Sequence, residues 1–193
     1  MLNRILALIL LVMLAPLFIF IYIAIRLESP GPAIFRQKRV GLQRSYFIIY
    51  KFRTMTYGTP DLPSALVDEN DTRFTWLGRL LRRFSLDELP QLLNIIKGEM
   101  NFVGPRPALY NQEDLIKLRD ASGIHVLKPG ITGWAQVNGR ENVCIEKKVE
   151  LDEHYLKNRS FRLDMKIILM TIFKSYQGKD LYTVRDSGNK IVG

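Results

Sequence analysis

Two adjacent carboxylates, Asp87 and Glu88, stand at the start of an apolar segment, just after a run of arginines. That run contains Arg79, Arg82 and Arg83. Nearby cations and a helix N-terminus both favour the ionised form of a carboxyl group, so we expect both residues to be charged near neutral pH. An ionised carboxylate can attack phosphorus or hold Mg²⁺. The pair is therefore the strongest candidate for a catalytic site in this chain.

The same residues also fit a purely structural arrangement, a capping box at the start of a helix. Ser85 stands three residues before Glu88, which is the spacing of that motif. Pro90 opposes it, because inside a helix capped by Ser85 its ring would clash with the carbonyl of Leu86. The alternative puts Pro90 at the first helical position, with Asp87 and Glu88 on the loop that precedes it. Taken alone, this segment favours capping, and only the neighbouring motifs favour chemistry.

Length and charge narrow the class of protein. The chain has 193 residues, a net charge of +9 and a pI near 9.7. It is long enough for one domain with a real core, and its basic charge predicts an anionic partner: a phospholipid surface, a nucleotide or a nucleic acid. The single cysteine, Cys144, excludes an internal disulfide and has no partners at metal-ligand spacing. His125 and His154 are isolated in the sequence, and we assign neither a role.

The N-terminal segment is a candidate membrane helix. Residues 5–25 carry no charge, and Arg4 and Arg26 bound them. Such a run is long enough for a helix to cross ~30 Å of hydrocarbon, but Pro16 interrupts it near the middle and frees the carbonyl of Val12. A kinked single span and a re-entrant hairpin both fit these residues. The prolines and glycine of residues 28–32 then end the helix before the soluble part begins.

The rest of the chain predicts a mixed α/β fold that is mostly helical, with a small β-hairpin. Two runs rich in aromatic and β-branched residues flank a polar turn and form that hairpin, Ala33–Gln37 and Tyr46–Phe52. Residues 57–71 are a loop, because glycine and prolines interrupt an acidic stretch. Apolar periodicity predicts five helices, at Thr75–Phe84, Leu89–Lys97, Gln112–Ala121, Lys147–Lys157 and Asp164–Tyr176. The helix at Thr75–Phe84 is amphipathic and suits packing on a core or on a membrane surface. The helix at Asp164–Tyr176 is strongly apolar, and we expect it to lie at a membrane interface.

Two further motifs present cations that could bind phosphate. In Val103–Pro107, two prolines fix Arg106 on a stiff loop, and a guanidinium fork suits phosphate oxygens. In the strand that ends the hairpin, Lys51 and Arg53 lie on one face, with aromatic residues on the other. A tight turn and a solvated strand face are the structural alternatives.

The segment Lys128–Arg140 joins a Pro-Gly turn, a short strand and an Asn-Gly turn. This turn chemistry predicts a second hairpin. In a functional interpretation, its glycines allow close backbone approach, Trp134 offers a stacking face for a base, and Arg140 offers another cation. The residues alone leave the structural and functional interpretations open.

The segments KFRTM, LRRFSLDELPQLLNIIKGEMNFVGPRP and KPGITGWAQVNGR occur in this order behind a proline-broken apolar N-terminus. In this combination the chain strongly resembles the monotopic bacterial sugar transferases, phosphoglycosyl transferases that begin glycan assembly on polyprenol phosphate. The resemblance runs from about Leu6 to Tyr176. It implies transfer of a sugar-1-phosphate from a UDP-sugar to polyprenol phosphate, typically undecaprenyl phosphate, with Mg²⁺ and release of UMP.

The resemblance also implies a role for each candidate residue. Asp87 is the expected nucleophile, which forms a phosphosugar–aspartyl intermediate, and Glu88 completes a dyad that binds Mg²⁺. The remaining expected site residues bind phosphate or nucleotide: Lys51, Arg82, Arg106, Arg140 and Asp152. The role of Asp152 is less defined than the others.

In the resembling family the N-terminal helix is re-entrant. We therefore expect a re-entrant membrane helix at residues 1–28, with both ends cytoplasmic. A catalytic domain at 29–176 would lie on the cytoplasmic face of the bacterial inner membrane, followed by a tail at 177–193. The expected partners are a UDP-sugar, polyprenol phosphate and membrane lipid, without nucleic acid; a homo-oligomer is left open.

The chain departs from the family pattern at three places. Asn3 stands near the acidic position of the usual N-terminal lead, and Ala15-Pro16 replaces the usual Ser-Pro, which removes a hydroxyl from the helix break. A tryptophan common after the Asn-Gly-Arg turn is replaced near Ile145, in a region that we expect to affect sugar preference, so the sequence predicts no particular donor sugar.

Two rival functions remain. A membrane-tethered basic binding module would use Asp87 and Glu88 only as helix caps and would bind anions in a salt-sensitive way. A glycosyl transferase acting on a lipid-linked sugar would release UDP instead of UMP, and the absence of an Asp-x-Asp motif counts against it.

Overall fold

The computed structural model describes residues 1–59, 71–139 and 144–176. Its helices are α1 (Leu2–Met13), α2 (Ala15–Glu28), α3 (Trp76–Arg83), α4 (Leu92–Lys97), α5 (Glu113–Ala121), α6 (Trp134–Asn138), α7 (Ile145–Asn158) and α8 (Phe161–Tyr176). Its strands are β1 (Ile34–Val40), β2 (Tyr46–Phe52), β3 (Asn101–Val103) and β4 (Gly130–Thr132). The mostly helical fold with small sheets matches the class predicted from the sequence.

The N-terminal apolar segment is a bent pair of helices. α1 and α2 meet at Leu14 with a bend of 63°, and Pro16 lies in the first turn of α2, where its missing N–H costs no helix hydrogen bond. The carbonyl of Val12, expected to be free, accepts a backbone N–H at this break. Within the described residues, only this bent pair is long and apolar enough to cross a bilayer, and no single helix is.

Both N-terminal helices pack one side against the rest of the domain. Ala7 of α1 is fully buried in a cluster with Ile49 and Ile95, and Ile25 of α2 is buried in a second cluster with Phe52. Their other sides leave large apolar residues exposed, namely Leu2, Ile5, Leu6, Leu8, Ile9, Val12, Met13, Ile19, Phe20, Tyr22, Ile23 and Leu27. The bent pair is therefore seated on the domain and still presents a broad apolar surface.

The predicted first hairpin is confirmed. β1 and β2 pair antiparallel, with Ile34 opposite Phe52 and Val40 opposite Tyr46. The outer edge of β2 is held by a side chain of α4: Asn94 accepts the N–H of Tyr50 at 3.2 Å and donates to the carbonyl of Ile48 at 2.7 Å. This fully buried amide thus stands in for a neighbouring strand.

The second predicted hairpin is wrong. β4 pairs in parallel with β3, a strand from another part of the chain, and residues 134–138 form α6 instead of a returning strand. Hydrogen bonds from Gly104 N–H to the carbonyl of Thr132 and from Asn101 N–H to the carbonyl of Pro129, both 2.9 Å, extend the pairing. Long-range pairing has overridden the local turn signals. Arg140 lies outside the described residues.

The other elements follow the apolar periodicity. α3 is capped by Thr75, whose hydroxyl accepts the N–H of Gly78 at 3.0 Å, and the predictions for α3, α5, α7 and α8 are confirmed to within a few residues. In the predicted loop at 57–71, residues 60–70 lie outside the described part of the chain, as does the predicted tail.

Candidate active site

The two carboxylates lie on a 3₁₀ segment, Leu86–Gln91, that precedes α4. Ser85 enters this segment in the left-handed conformation, with φ of 56°, and its side chain makes no capping hydrogen bond, so the capping box is wrong. Pro90 also does not begin the α-helix; it lies inside the 3₁₀ segment, and the α-helix starts only at Leu92. The placement of Asp87 and Glu88 ahead of that helix was correct.

Two cationic side chains from different parts of the chain form ion pairs with Glu88. Lys51 Nζ from β2 donates to Glu88 Oε1 at 2.7 Å, and Arg106 Nη2 donates to the same oxygen at 3.1 Å. The Glu88 side chain is only 16% exposed. Burial alone would raise the pKa of Glu88, but the charges and hydrogen bonds of Lys51 and Arg106 outweigh it and lower the pKa to about 2.

Asp87 has the opposite electrostatic balance. Burial raises the pKa of Asp87 to about 6, the Glu88 charge adds to the rise, and Lys51, Arg82 and Arg106 oppose it. Asp87 is therefore still mostly charged at pH 7, as expected, but its pKa is raised and not lowered, because its desolvation outweighs the nearby cations. Adjacent carboxyl groups with separated pKa values are typical of sites in which the two have different tasks.

Arg82 completes the basic surroundings of the dyad. It lies in the last turn of α3, with its guanidinium 4.8 Å from the ring centroid of Phe74, and its charge lowers the pKa of Asp87. Three cations predicted from separate motifs, Lys51, Arg82 and Arg106, therefore meet at the two carboxylates.

Arg53 does not share a solvated or phosphate-binding face with Lys51. β2 ends at Phe52, so the alternation that placed the two cations together does not extend to Arg53. Its buried guanidinium donates to the carbonyls of Ser29 and Pro30, each at 2.8 Å, and of Ile25 at 3.3 Å. Arg53 therefore ties the end of α2 to the hairpin.

Asp152 lies on α7 and is 1% exposed. Its Oδ2 accepts Nε and Nη2 of Arg119, from α5, at 3.0 and 2.6 Å, and Nη1 of Arg119 donates to the carbonyl of Arg106 at 2.8 Å. Direct contact of Asp152 with substrate stays a prediction. Sequence reasoning missed Arg119, because nothing in the local pattern of α5 indicates a buried partner.

Trp134, which in the functional interpretation offers a stacking face for a base, already has another aromatic ring stacked on it. His154 stacks on it with centroids 5.2 Å apart and an interplanar angle of 22°, and Lys166 Nζ lies 5.4 Å from the Trp134 centroid. His154 thus has a structural contact where the sequence assigned none.

A sequence model described as bacterial sugar transferase matches residues 1–178. The chain belongs to the bacterial sugar transferase family. The resemblance recognised from the three motifs is thereby confirmed.

The names of individual relatives agree with this family assignment. This sugar transferase is 47% identical to the "Uncharacterized sugar transferase EpsL" of Bacillus subtilis over 156 residues, 81% of this chain and 76% of the relative. It is 40% identical to the "UDP-glucose:undecaprenyl-phosphate glucose-1-phosphate transferase" of Escherichia coli over 187 residues, 93% of this chain and 40% of the relative. It is 43% identical to the "Undecaprenyl-phosphate glucose phosphotransferase" of Komagataeibacter xylinus over 84% of this chain and 33% of the relative. The chain thus spans well under half of these last two proteins.

Proposed function

We propose that this sugar transferase moves a sugar-1-phosphate from a UDP-sugar to a polyprenol phosphate, typically undecaprenyl phosphate, and releases UMP. The observation that carries the proposal is the meeting of Asp87 and Glu88 with Lys51, Arg82 and Arg106. The names of the Escherichia coli and Komagataeibacter relatives, both undecaprenyl-phosphate glucose transferases, support the same reaction.

The proposed nucleophile is Asp87. A carboxylate oxygen attacks the phosphorus that bears the sugar, the bond from that phosphorus to the bridging oxygen breaks, and UMP leaves with the electron pair. A phosphate oxygen of the polyprenol phosphate then attacks the same phosphorus and releases the Asp87 carboxylate. Two displacements divide one exchange between bulky anions into two easier steps.

Glu88 has a different proposed task. It stays ionised because it is paired with Lys51 and Arg106, and those contacts hold both cations beside Asp87. Cations fixed in advance at the place where a diphosphate must bind stabilise its charge without a reorganisation cost during the reaction. Arg82, on α3, adds positive charge that acts on Asp87.

Mg²⁺ is the proposed cofactor, with Asp87 and Glu88 as its protein ligands. Among the described residues no group of three or more acidic, histidine or cysteine side chains could hold a metal. Two neighbouring carboxylates nevertheless fit Mg²⁺, which commonly uses one or two carboxylates together with substrate phosphates and water. When bound, the ion would neutralise charge on the diphosphate.

The proposed location is the cytoplasmic face of the bacterial inner membrane. α1 and α2 would enter the bilayer as a re-entrant pair with both ends cytoplasmic, and their exposed apolar residues would face lipid. α3 and α8 would lie at the interface, since Trp76 of α3 is 78% exposed and α8 exposes Leu169 and Phe173. The division at residue 29 between membrane segment and catalytic domain is part of this proposal.

UMP release tests the reaction. Protein in detergent is given Mg²⁺, undecaprenyl phosphate and a panel of UDP-sugars, and nucleotide products are separated. We expect UMP from one or a few donors, no UMP from Asp87→Asn, and full activity from Asp114→Asn, the same change at an exposed position on α5.

Other products decide between the alternatives. UDP as the product would replace the proposal with a glycosyl transferase, and no nucleotide product with any donor would favour a binding module. Full activity of Asp87→Asn would exclude the proposed nucleophile. Sugar-phosphate label that remains on wild-type protein without acceptor, and is absent from Asp87→Asn, would support the covalent step.

A further inference from the structure

The loop that carries Arg106 is held by its carbonyl groups. The segment Pro105–Pro107 contains two prolines, which have no N–H to donate, so neighbouring elements can secure it chiefly through carbonyl oxygens. All three of its carbonyls accept a hydrogen bond. The donors, in order, are Gly130 N–H at 3.0 Å, Arg119 Nη1 at 2.8 Å and Arg39 Nη1 at 3.0 Å.

The middle one of these bonds depends on a buried ion pair. Asp152 on α7 takes Nε and Nη2 of Arg119 with a single oxygen, which leaves Nη1 directed at the carbonyl of Arg106. The Asp152 and Arg119 side chains are only 1% and 12% exposed. A planar guanidinium fixed at one edge has little freedom at the other, so Asp152 sets where Nη1 donates.

The carbonyl that Arg119 holds belongs to the residue whose side chain reaches the dyad. Because Pro107 has a fixed φ, the next residue cannot compensate a rotation of the peptide that follows Arg106. Such a rotation would turn the Arg106 Cα–Cβ bond and move the guanidinium relative to Glu88 Oε1, now 3.1 Å away. Small displacements of a group that must meet a reacting phosphate cost much rate.

We infer that Asp152 and Arg119 are positioning residues, which hold the Arg106 carbonyl so that the Arg106 guanidinium stays at the catalytic dyad. This inference rests on the proposed function for its effect on rate, but not for its effect on the loop. It gives Asp152 a role at a distance from the substrate, different from the direct contact expected from the sequence.

Hydrogen exchange tests the effect on the loop without reference to activity. The full-length protein in detergent is compared with Asp152→Asn, Arg119→Met and, as a matched control, Lys117→Met, which removes a cation from an exposed ion pair on α5. Peptides that cover residues 104–109 should exchange faster in the first two variants and at the wild-type rate in the control.

Should Asp152→Asn or Arg119→Met not fold, Arg119→Lys takes its place. It keeps a charge beside Asp152 but has no second arm for the Arg106 carbonyl, so it should show the same faster exchange. Unchanged exchange in the folded variants overturns the inference.

Activity tests the route through Arg106. We expect kcat/KM for UMP release to fall about tenfold to hundredfold in Asp152→Asn or Arg119→Met. In an Arg106→Ala background the same substitutions should change the remaining rate less than about twofold, because the group that they position is gone. An equal loss in both backgrounds would show a general structural role and overturn the inference. If wild-type protein releases no UMP, the proposed function fails and hydrogen exchange alone decides the inference.

Discussion

The first half of the proposed reaction, attack of Asp87 on the UDP-sugar, should slow about tenfold from pH 7 to pH 5. The pKa of Asp87 is raised to about 6, so about nine-tenths of the nucleophile is ionised at pH 7 and about one-tenth at pH 5. An aspartate at its ordinary pKa of 3.8 would stay more than about nine-tenths ionised over the whole range. The pH dependence therefore separates a desolvated Asp87 from a solvated one.

The direction and the size of this pH effect follow from the surroundings of Asp87. A rise of about two pKa units corresponds to about 3 kcal/mol against the charged form, mostly from burial. Because attack needs that charged form, activity is lost as the pH falls through the raised pKa. Lys51→Met removes a cation that opposes the rise, so its inflection should move to higher pH. Glu88→Gln removes an anion that adds to the rise, so its inflection should move to lower pH.

The assay is the burst of UMP in rapid-quench mixing with Mg²⁺ and without polyprenol phosphate, from pH 5 to pH 8 at constant ionic strength. UDP-sugar is kept well below saturation, so that the rate reports the pKa of Asp87 in the free enzyme. The acceptor is omitted because the second pKa of a phosphate monoester also lies near 6. The position of the inflection is compared, not the amplitude, since Lys51 and Glu88 have other proposed tasks. A wild-type burst rate that is constant between pH 5 and pH 7 in folded protein, or shifts of both variants in the same direction, would refute the reasoning.

Four further predictions concern stability; the first three are measured as thermal unfolding in detergent and the fourth as sensitivity to protease. Gly78→Ala should lower the free energy of unfolding by about 2 kcal/mol, because its new Cβ would collide with the backbone carbonyl of Thr54. Thr75→Ala should cost about 1 kcal/mol by removal of the α3 cap, and Thr75→Ser should restore it; equal stability of all three would contradict the cap. Asn94→Leu should lower the free energy of unfolding by about 3 kcal/mol, since it leaves the buried edge of β2 without hydrogen-bond partners. Arg53→Met should make the end of α2 more sensitive to protease than Arg53→Lys does, because it removes the hydrogen bonds that tie that end to the hairpin.

The sequence was informative wherever a short stretch decides its own structure. The hairpin of β1 and β2 follows from alternation on both sides of a polar turn, and α5 and α7 follow from their apolar periodicity. The segment Lys128–Arg140 has equally good turn chemistry, yet its strand pairs with Asn101–Val103. Nothing local distinguishes a strand that returns on itself from one that meets a distant partner.

The residues of the candidate site were likewise predictable from the sequence only in part. Lys51, Arg82 and Arg106 could be chosen from their motifs, and each is near the dyad. Arg53 could not be assigned, because its partners include backbone carbonyls of another segment, which any sequence provides. Arg119 could not be assigned either, because its partners, the Asp152 side chain and the Arg106 carbonyl, lie on distant segments. The raised pKa of Asp87 was missed for a related reason: charges are visible in a sequence, whereas desolvation depends on the complete fold.

The unequal carboxyl groups suit a covalent mechanism better than two equally acidic ones would. A nucleophile gains strength with its basicity but is useful only while it is ionised. With a pKa of about 6, Asp87 is more basic than an ordinary aspartate and still mostly charged at pH 7. If Glu88 were equally basic, it would compete for the same proton and, once protonated, would lose its ion pairs with Lys51 and Arg106. Its pKa of about 2 prevents this, so in the proposed mechanism Glu88 holds the cations while Asp87 reacts.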